Sequence, residues 1–187
     1  VSMDPTTGIM YVSSSMGCSA GMVAPGIDND AADDPFTTGT TIVDWVRGPG
    51  GGLNGPQGLP IFKPPYSRLT AVDMNTGEHL WWIPTGDTPD RIKNHAALQG
   101  VDIGETGGAG PAISMVMGDL LVMSDGRRGD SVIHAVNKQT GERLGTVELP
   151  VNGQYGMMTY LHNDKQFVVV QIGGSQYPSS LVALTLP

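Results

Sequence analysis

The chain is poor in several things at once. It has one cysteine, Cys18, in 187 residues. A lone thiol closes no internal disulfide and says little about redox compartment. No histidine follows it closely enough to activate a thiolate, so Cys18 is expected to be a small buried hydrophobe. Basic side chains are scarce: 10 Lys and Arg stand against 18 Asp and Glu, a formal net charge of −8. That balance excludes nucleic acid, which needs a basic face to meet phosphates, and anchoring on an anionic membrane surface. No apolar run is long enough to cross a bilayer as a helix. The opening "VSMDPTTGIMYVSSS" lacks the basic and apolar regions of a secretory signal. It reads as a turn feeding a strand, so the expectation is a fragment, a processed piece or one part of a larger assembly. His79, His95, His134 and His162 show none of the spacings of a zinc site. "GGAGP" and "GPGGGLNGP" lack the Lys-Ser/Thr of a phosphate loop. No nucleophile elbow occurs.

What the chain does have is turns. Gly at 27 and Pro at 14 punctuate short apolar runs, and aromatics are only 6%. The runs have strand lengths. Strands are expected near 9–14, 69–73, 79–83, 112–117, 119–123, 131–136, 143–148, 157–161, 166–172 and 181–185. Tight hairpins are expected at Met117-Gly118-Asp119 and at His162-Asn163-Asp164-Lys165. One helix is expected, Thr88 to Leu98, with Pro89 in its first turn. The chain reads as a single domain, 1–187, with a long Gly/Pro/Asp-rich insertion at 17–57. Between Gly17 and Pro65 only "TTIVDWV" has a strand pattern. Asp28, Asp30, Asp33 and Asp34 cluster there without the glycine and terminal glutamate of an EF-hand loop. They read as a solvated acidic loop, with a calcium or inter-subunit contact as the sharper alternative.

The strongest signal is a sentence written twice. "LTAVDMNTGEHLWW" (69–82) returns 64 positions later as "IHAVNKQTGERLGT" (133–146). Six of fourteen positions are identical: Ala71/Ala135, Val72/Val136, Thr76/Thr140, Gly77/Gly141, Glu78/Glu142 and Leu80/Leu144. Each copy reads as strand, turn, strand. Asp73 or Asn137 accepts from turn amides, and Thr-Gly closes the turn. Asp73 is thus a turn residue. Repeats that cannot bury a face alone must stack on one another. With strands and hardly any helix, the expected fold class is all-β, stacked radially as β-propeller blades. A β-sandwich with two similar hairpins is the alternative.

The pattern Ala71, Asp73, Thr76, Gly77, Trp81 resembles the tryptophan-docking repeat of quinoproteins, dehydrogenases that use pyrroloquinoline quinone (PQQ) on an eight-bladed propeller. "GLPIFKPPYSRLTAVDMNTGEHLWWIPTGDTP" (58–89), "GGAGPAISMVMGDLLVMSDG" (107–126), "LPVNGQYGMMTYLHNDKQFVVVQIGGS" (149–175) and "LVALTLP" (181–187) resemble the membrane-type quinoprotein glucose dehydrogenases. The likeness covers Gly58 to Pro187 well and the first 57 residues poorly. It implies that Trp81 docks on a neighbouring Thr-Gly turn, while Trp82 points to the opposite face. In the second copy Gly145 replaces the tryptophan, so the interface after it should be weaker.

A four-stranded blade takes roughly 40–50 residues, so this chain supplies about three blades of the eight, the last short of a strand. The resemblance therefore implies the C-terminal part of a PQQ-dependent sugar or alcohol dehydrogenase, periplasmic, passing electrons to ubiquinone or a cytochrome. Its partners would be the remaining blades or, failing those, further copies of itself. PQQ and calcium belong to the family. Its catalytic Asp and metal ligands find no match here, so the chain alone would bind no cofactor and be inactive. Its expected contribution is axis lining, from loops that enter innermost strands: Gly107–Gly110 and Asn152–Gly156. Gly108 and Gly110 would let backbone approach the cofactor, beside Gly156, or simply serve the turn. Tyr155 would fence the cofactor or be an ordinary loop aromatic. The rival function is a non-catalytic propeller scaffold, as in the outer-membrane assembly lipoprotein of Gram-negative bacteria.

Overall fold

The computed structural model describes residues 1–25, 45–108, 110–126, 129–174 and 176–185. Among them run thirteen strands: β1 Ser2–Asp4, β2 Ile9–Ser15, β3 Ser19–Pro25, β4 Trp45–Gly52, β5 Ser67–Asp73, β6 His79–Pro84, β7 Ile113–Met117, β8 Leu120–Ser124, β9 Val132–Asn137, β10 Arg143–Glu148, β11 Gly153–His162, β12 Lys165–Gly174 and β13 Tyr177–Thr185. The chain forms two compact units, Val1–Met16 with Lys63–Pro187, and Gly17–Phe62.

The larger unit holds three antiparallel sheets. Their spatial orders are β1-β2-β5-β6, β7 to β10 in sequence, and β11-β12-β13. The first strand of each sheet neighbours the first strand of the next: β1 contacts β7, and β7 contacts β11. Sheets that meet at their first strands are blades about an axis, which is the expected propeller arrangement; a sandwich would meet face to face along all strands.

The twin stretches explain how neighbouring blades register. Both are hairpins with the same turn. Gly77 N–H donates to Asp73 O at 2.7 Å, and Gly141 N–H to Asn137 O at 2.9 Å. Asp73 Oδ1 accepts from Asn75 N–H at 2.8 Å; Asn137 Oδ1 accepts from Gln139 N–H at 2.9 Å. Both hairpins also carry the same bulge: Ala71 faces Trp81 and Ala135 faces Gly145, with a register shift just before each. A third copy of the turn, Asp4 to Gly8, joins β1 to β2. There Gly8 N–H donates to Asp4 O at 2.9 Å. "DPTTG" shares the Asx and Thr-Gly chemistry, but its flanking strand is only three residues long. That is too short for periodicity to reveal.

Trp81 does what the resemblance implies. Its Nε1–H donates to Lys138 O, in the turn of the next sheet, at 3.2 Å. A Cβ on Gly141 would sit 2.8 Å from Trp81 Cε3, so the ring lies directly on that glycine. Gly141 also has φ +77°, which L-residues with a Cβ rarely adopt. Tyr11 flanks the ring at 5.8 Å between centroids and also donates to Lys138 O. Trp82 faces the other way and is half exposed.

Two apolar cores result. Tyr11, Leu69, Ala71, Leu121, Met123 and Val136 fill the space between the first and second sheets. Val122, Ile133, Leu149, Val170 and Ile172 do so between the second and third. A buried ion pair crosses the first of these interfaces. Lys138 Nζ donates to Asp4 Oδ2 at 2.8 Å and to Gly118 O at 2.7 Å. The Lys138 bond, with those from Thr6, holds the Asp4 carboxyl well below the usual aspartate range.

Some expectations need correction. The helix from Thr88 to Leu98 breaks in two: α1, Asp90–Lys93, then a 3-10 turn, Ala96–Leu98, with His95 Nδ1 accepting from Ala97 N–H. Only Ile92 of α1 is buried, so no apolar stripe holds a longer helix together. The 17–57 stretch carries more strand than its composition suggested. β3 and β4 pair antiparallel, glycine against glycine at Gly21 and Gly50. Backbone pairing there needs no apolar pattern, which is why the pattern missed it. Cys18 is a free, partly buried thiol and not a core residue. Most of "TTIVDWV" and all four aspartates of the acidic cluster lie outside the described residues.

Candidate functional site

Where the first strands gather, the sheets enclose a cavity of about 990 Å³. Its walls come from three blades: Ser13 and Ser15 of β2, the run Gly110–Ser114 entering β7, and Gln154–Met157 of β11. Gly110, Tyr155 and Gly156, three of the four candidate cofactor-binding residues, are brought together here. Tyr155 is open, at 65% exposure, and stands at the wall.

Gly108, the fourth candidate, lies apart. It is buried, and its N–H donates to Thr85 O at 2.6 Å. Ser67 Oγ donates to both Thr85 O and Gly108 O, at 2.7 and 3.0 Å. Gly107 beside it has φ +74°, and a Cβ there would fall 2.3 Å from Ser67 O. Gly107 is therefore accounted for by a close backbone crossing against β5. The crossing fixes where the chain emerges at Gly110.

Hydrogen bonds hold the wall in shape. Ala112 N–H donates to Ser13 Oγ at 2.6 Å. Ser2 and Ser114 hydroxyls meet at 2.8 Å, tying β1 to β7. Gln154 Nε2 donates to Gly173 O and to Asn152 O. The lining is hydroxyl, amide, phenol and backbone, with aliphatic patches at Ala112, Ile113 and Met157. No Asp, Glu, His, Lys or Arg side chain is among the described residues that line it. Among the described residues no cluster of three metal-ligating side chains occurs anywhere. Such a wall can orient a polar planar molecule by hydrogen bonds.

Sequence reasoning missed Ser13, Ser15 and Ser114, while Gln154 falls within the Asn152–Gly156 loop expected to line the axis. A signal was there: Ser13 and Ser15 sit two apart in a strand, so they share one face, at the polar end of the run "IMYVSSS". It also missed Asp125 with His134, a buried pair between the first two blades. His134 Nε2 and Asp125 Oδ2 are 3.1 Å apart, and Asp125 Oδ1 accepts from Gly86 N–H at 3.0 Å. Nothing local announces that pair. It arises because β8 and β9 register Met123 against His134, which makes Asp125, two residues beyond Met123, the diagonal neighbour of His134 on the same face.

The sequence matches the family described as PQQ glucose/ethanol/alcohol dehydrogenase, beta-propeller domain, over residues 1–168, so the first 57 residues are included. It is 35% identical over 137 residues to Quinoprotein glucose dehydrogenase A of Acinetobacter calcoaceticus, covering 71% of this chain and 17% of that protein. It is 32% identical over 136 residues to the Glycerol dehydrogenase large subunit of Gluconobacter thailandicus, covering 70% and 18%. The crystal structure of quinohemoprotein alcohol dehydrogenase from Comamonas testosteroni superposes with a TM-score of 0.59 at 16% identity, over 98% of this chain and 25% of that one. At that identity the likeness speaks to the fold alone. The matched region spans less than a fifth of the curated relatives' length. On the blades, the docked Trp81 and the extent of the match, this chain belongs to the PQQ-dependent glucose/ethanol/alcohol dehydrogenases and represents part of their β-propeller domain.

Proposed function

We propose that this chain supplies the C-terminal blades, and one wall of the axial site, of a periplasmic PQQ-dependent sugar or alcohol dehydrogenase. The observation that carries this reading is the convergence of Gly110, Tyr155 and Gly156 on one cavity at the inner edge of three blades. The residues present fit one side of a planar, oxygen-rich quinone: hydroxyls, an amide and a phenol can hydrogen-bond its edge, and the open backbone at Gly156 allows close approach. Bound there, the quinone would supply the hydride acceptor for oxidation of an alcohol. Ser13, Ser15, Ser114 and Gln154 would orient the ring edge, and Tyr155 would limit water at the mouth. No lining carboxylate is available as a base, so the general base and the calcium ligands belong to other blades on this reading. Electron transfer to ubiquinone or a cytochrome is likewise a property of the whole protein. A non-catalytic scaffold is the second reading, favoured by the uncharged wall.

Dye-coupled assays test the proposal. This chain with PQQ and calcium should reduce no dye with glucose or other polyols. Mixed with a chain carrying the remaining blades, it should restore turnover, and Tyr155→Ala or Gln154→Ala should lower that turnover several-fold. Turnover by this chain alone would overturn the division of labour. An assembled enzyme indifferent to both substitutions would overturn the axial-wall assignment.

A further inference from the structure

Gly145 and Trp81 hold the same place in twin hairpins, each opposite its alanine and just past the same bulge. In the first interface the indole of Trp81 fills the gap between blades. In the second, nothing lies within 4 Å of where a Cβ on Gly145 would be. A groove of about 760 Å³ opens there between the second and third sheets. Its walls include Met117, Val122, Ile133, Val168 and Leu184. These same five residues belong to the core between those sheets. The groove is therefore the unfilled outer part of an existing interface.

We propose that this groove binds a small planar aromatic molecule beside Gly145, the position that Trp81 holds one blade earlier. Three features select a ring. The space lies between two sheets, so it is a slot that a flat molecule fills with contacts on both faces, where dispersion is gained. Aliphatic side chains and the Met117 thioether line it, and methionine sulfur packs well against aromatic rings. The bare backbone at Gly145 permits close approach on one side, as the bare Gly141 does for Trp81. Polar residues in the lining are His134 on β9, Thr146 on β10, Thr185 at the end of β13, and Asp164, Lys165 and Gln166 in the β11–β12 turn and its flank. The ligand class is a one- or two-ring aromatic that carries a polar group, as indole does. Apolar cavities of this kind can take up such rings from water. A second copy of the chain would pair along an exposed strand edge and leave the slot between the sheets unfilled. The proposal does not depend on the quinone reading.

Indole is the probe, titrated into the 187-residue chain with methyl-labelled Met, Ile, Leu and Val observed by NMR. Saturable shifts should appear at Met117, Val122, Ile133, Val168 and Leu184. Gly145→Trp and the smaller filler Gly145→Phe should each abolish them, and whichever variant folds suffices. Cyclohexanol, of similar polarity but not planar, should bind at least tenfold more weakly. Should neither variant fold, the cyclohexanol comparison and the location of the shifted methyls decide alone. The proposal is overturned by absent or unsaturable shifts, by shifts located elsewhere, by shifts that persist in the fillers, or by equal binding of cyclohexanol. Groove shifts that depend on protein concentration without indole would assign the groove to a second copy and overturn it as well.

Discussion

Two glycines in identical turns provide a controlled measurement of blade docking. Gly77 and Gly141 have φ +78° and +77°. Replacing either with alanine imposes the same left-handed strain, about 1–2 kcal/mol. The surroundings differ. A Cβ on Gly77 meets nothing within 4 Å, whereas one on Gly141 falls 2.8 and 3.0 Å from Trp81 ring carbons. Carbon pairs prefer roughly 3.5–4.0 Å, so the ring must be pushed out of its seat. Overpacking of that kind costs about 1–3 kcal/mol. Gly77→Ala should therefore destabilise by about 1–2 kcal/mol and Gly141→Ala by about 2–5 kcal/mol. Urea denaturation followed by far-UV circular dichroism gives both values. The same comparison in a Trp81→Ala, Ile83→Ala background isolates the contacts, because a Cβ on Gly141 would also lie 3.2 Å from Ile83 Cγ2: the excess cost at Gly141 should vanish there, and most of it should already be lost with the ring. Equal costs at the two glycines in the wild-type background would refute the docking argument, as would an excess that survives loss of both side chains.

Trp81→Ala should cost about 2–4 kcal/mol, below the range for a fully buried aromatic because the ring is partly open, while the half-exposed Trp82→Ala should cost under about 1 kcal/mol; denaturation midpoints separate them. Asp4 has a folded-state pKa held below its ordinary value, first by the Lys138 bond. Its contribution is therefore complete above the ordinary aspartate pKa of 3.8 and is lost as pH falls further below it. Asp4→Asn should be less stable than wild type at pH 7, and the gap should narrow on acidification toward pH 2, measured by thermal unfolding across pH. Asp125→Ala leaves His134 Nε2 and the Gly86 N–H without their acceptor and should cost about 2–4 kcal/mol. Asp125→Asn, which keeps an acceptor oxygen, should cost less by the same denaturation assay.

The repeat, the strand lengths and the tight turns were legible because they are local. A turn that needs positive φ at Thr-Gly, an Asx acceptor and alternating apolar residues can be read from a dozen positions without knowing what lies across from them. From these the all-β class and the propeller follow, since a repeated one-faced hairpin has to stack; the docking role of Trp81 is what the resemblance to the quinoprotein repeat implies. What was not legible depends on neighbours far along the chain. Gly108 and Gly110 look alike in sequence, yet one is buried where the loop crosses Ser67 and the other lines the cavity. Only the path of β5 beneath the loop separates them. Ser13, Ser114 and Gln154 are more than a hundred residues apart at the extremes, and they meet because first strands of successive blades converge. Gly145 shows the same division: its sequence announces a missing ring, but that the vacancy stays open as a groove is set by how the third sheet packs against the second.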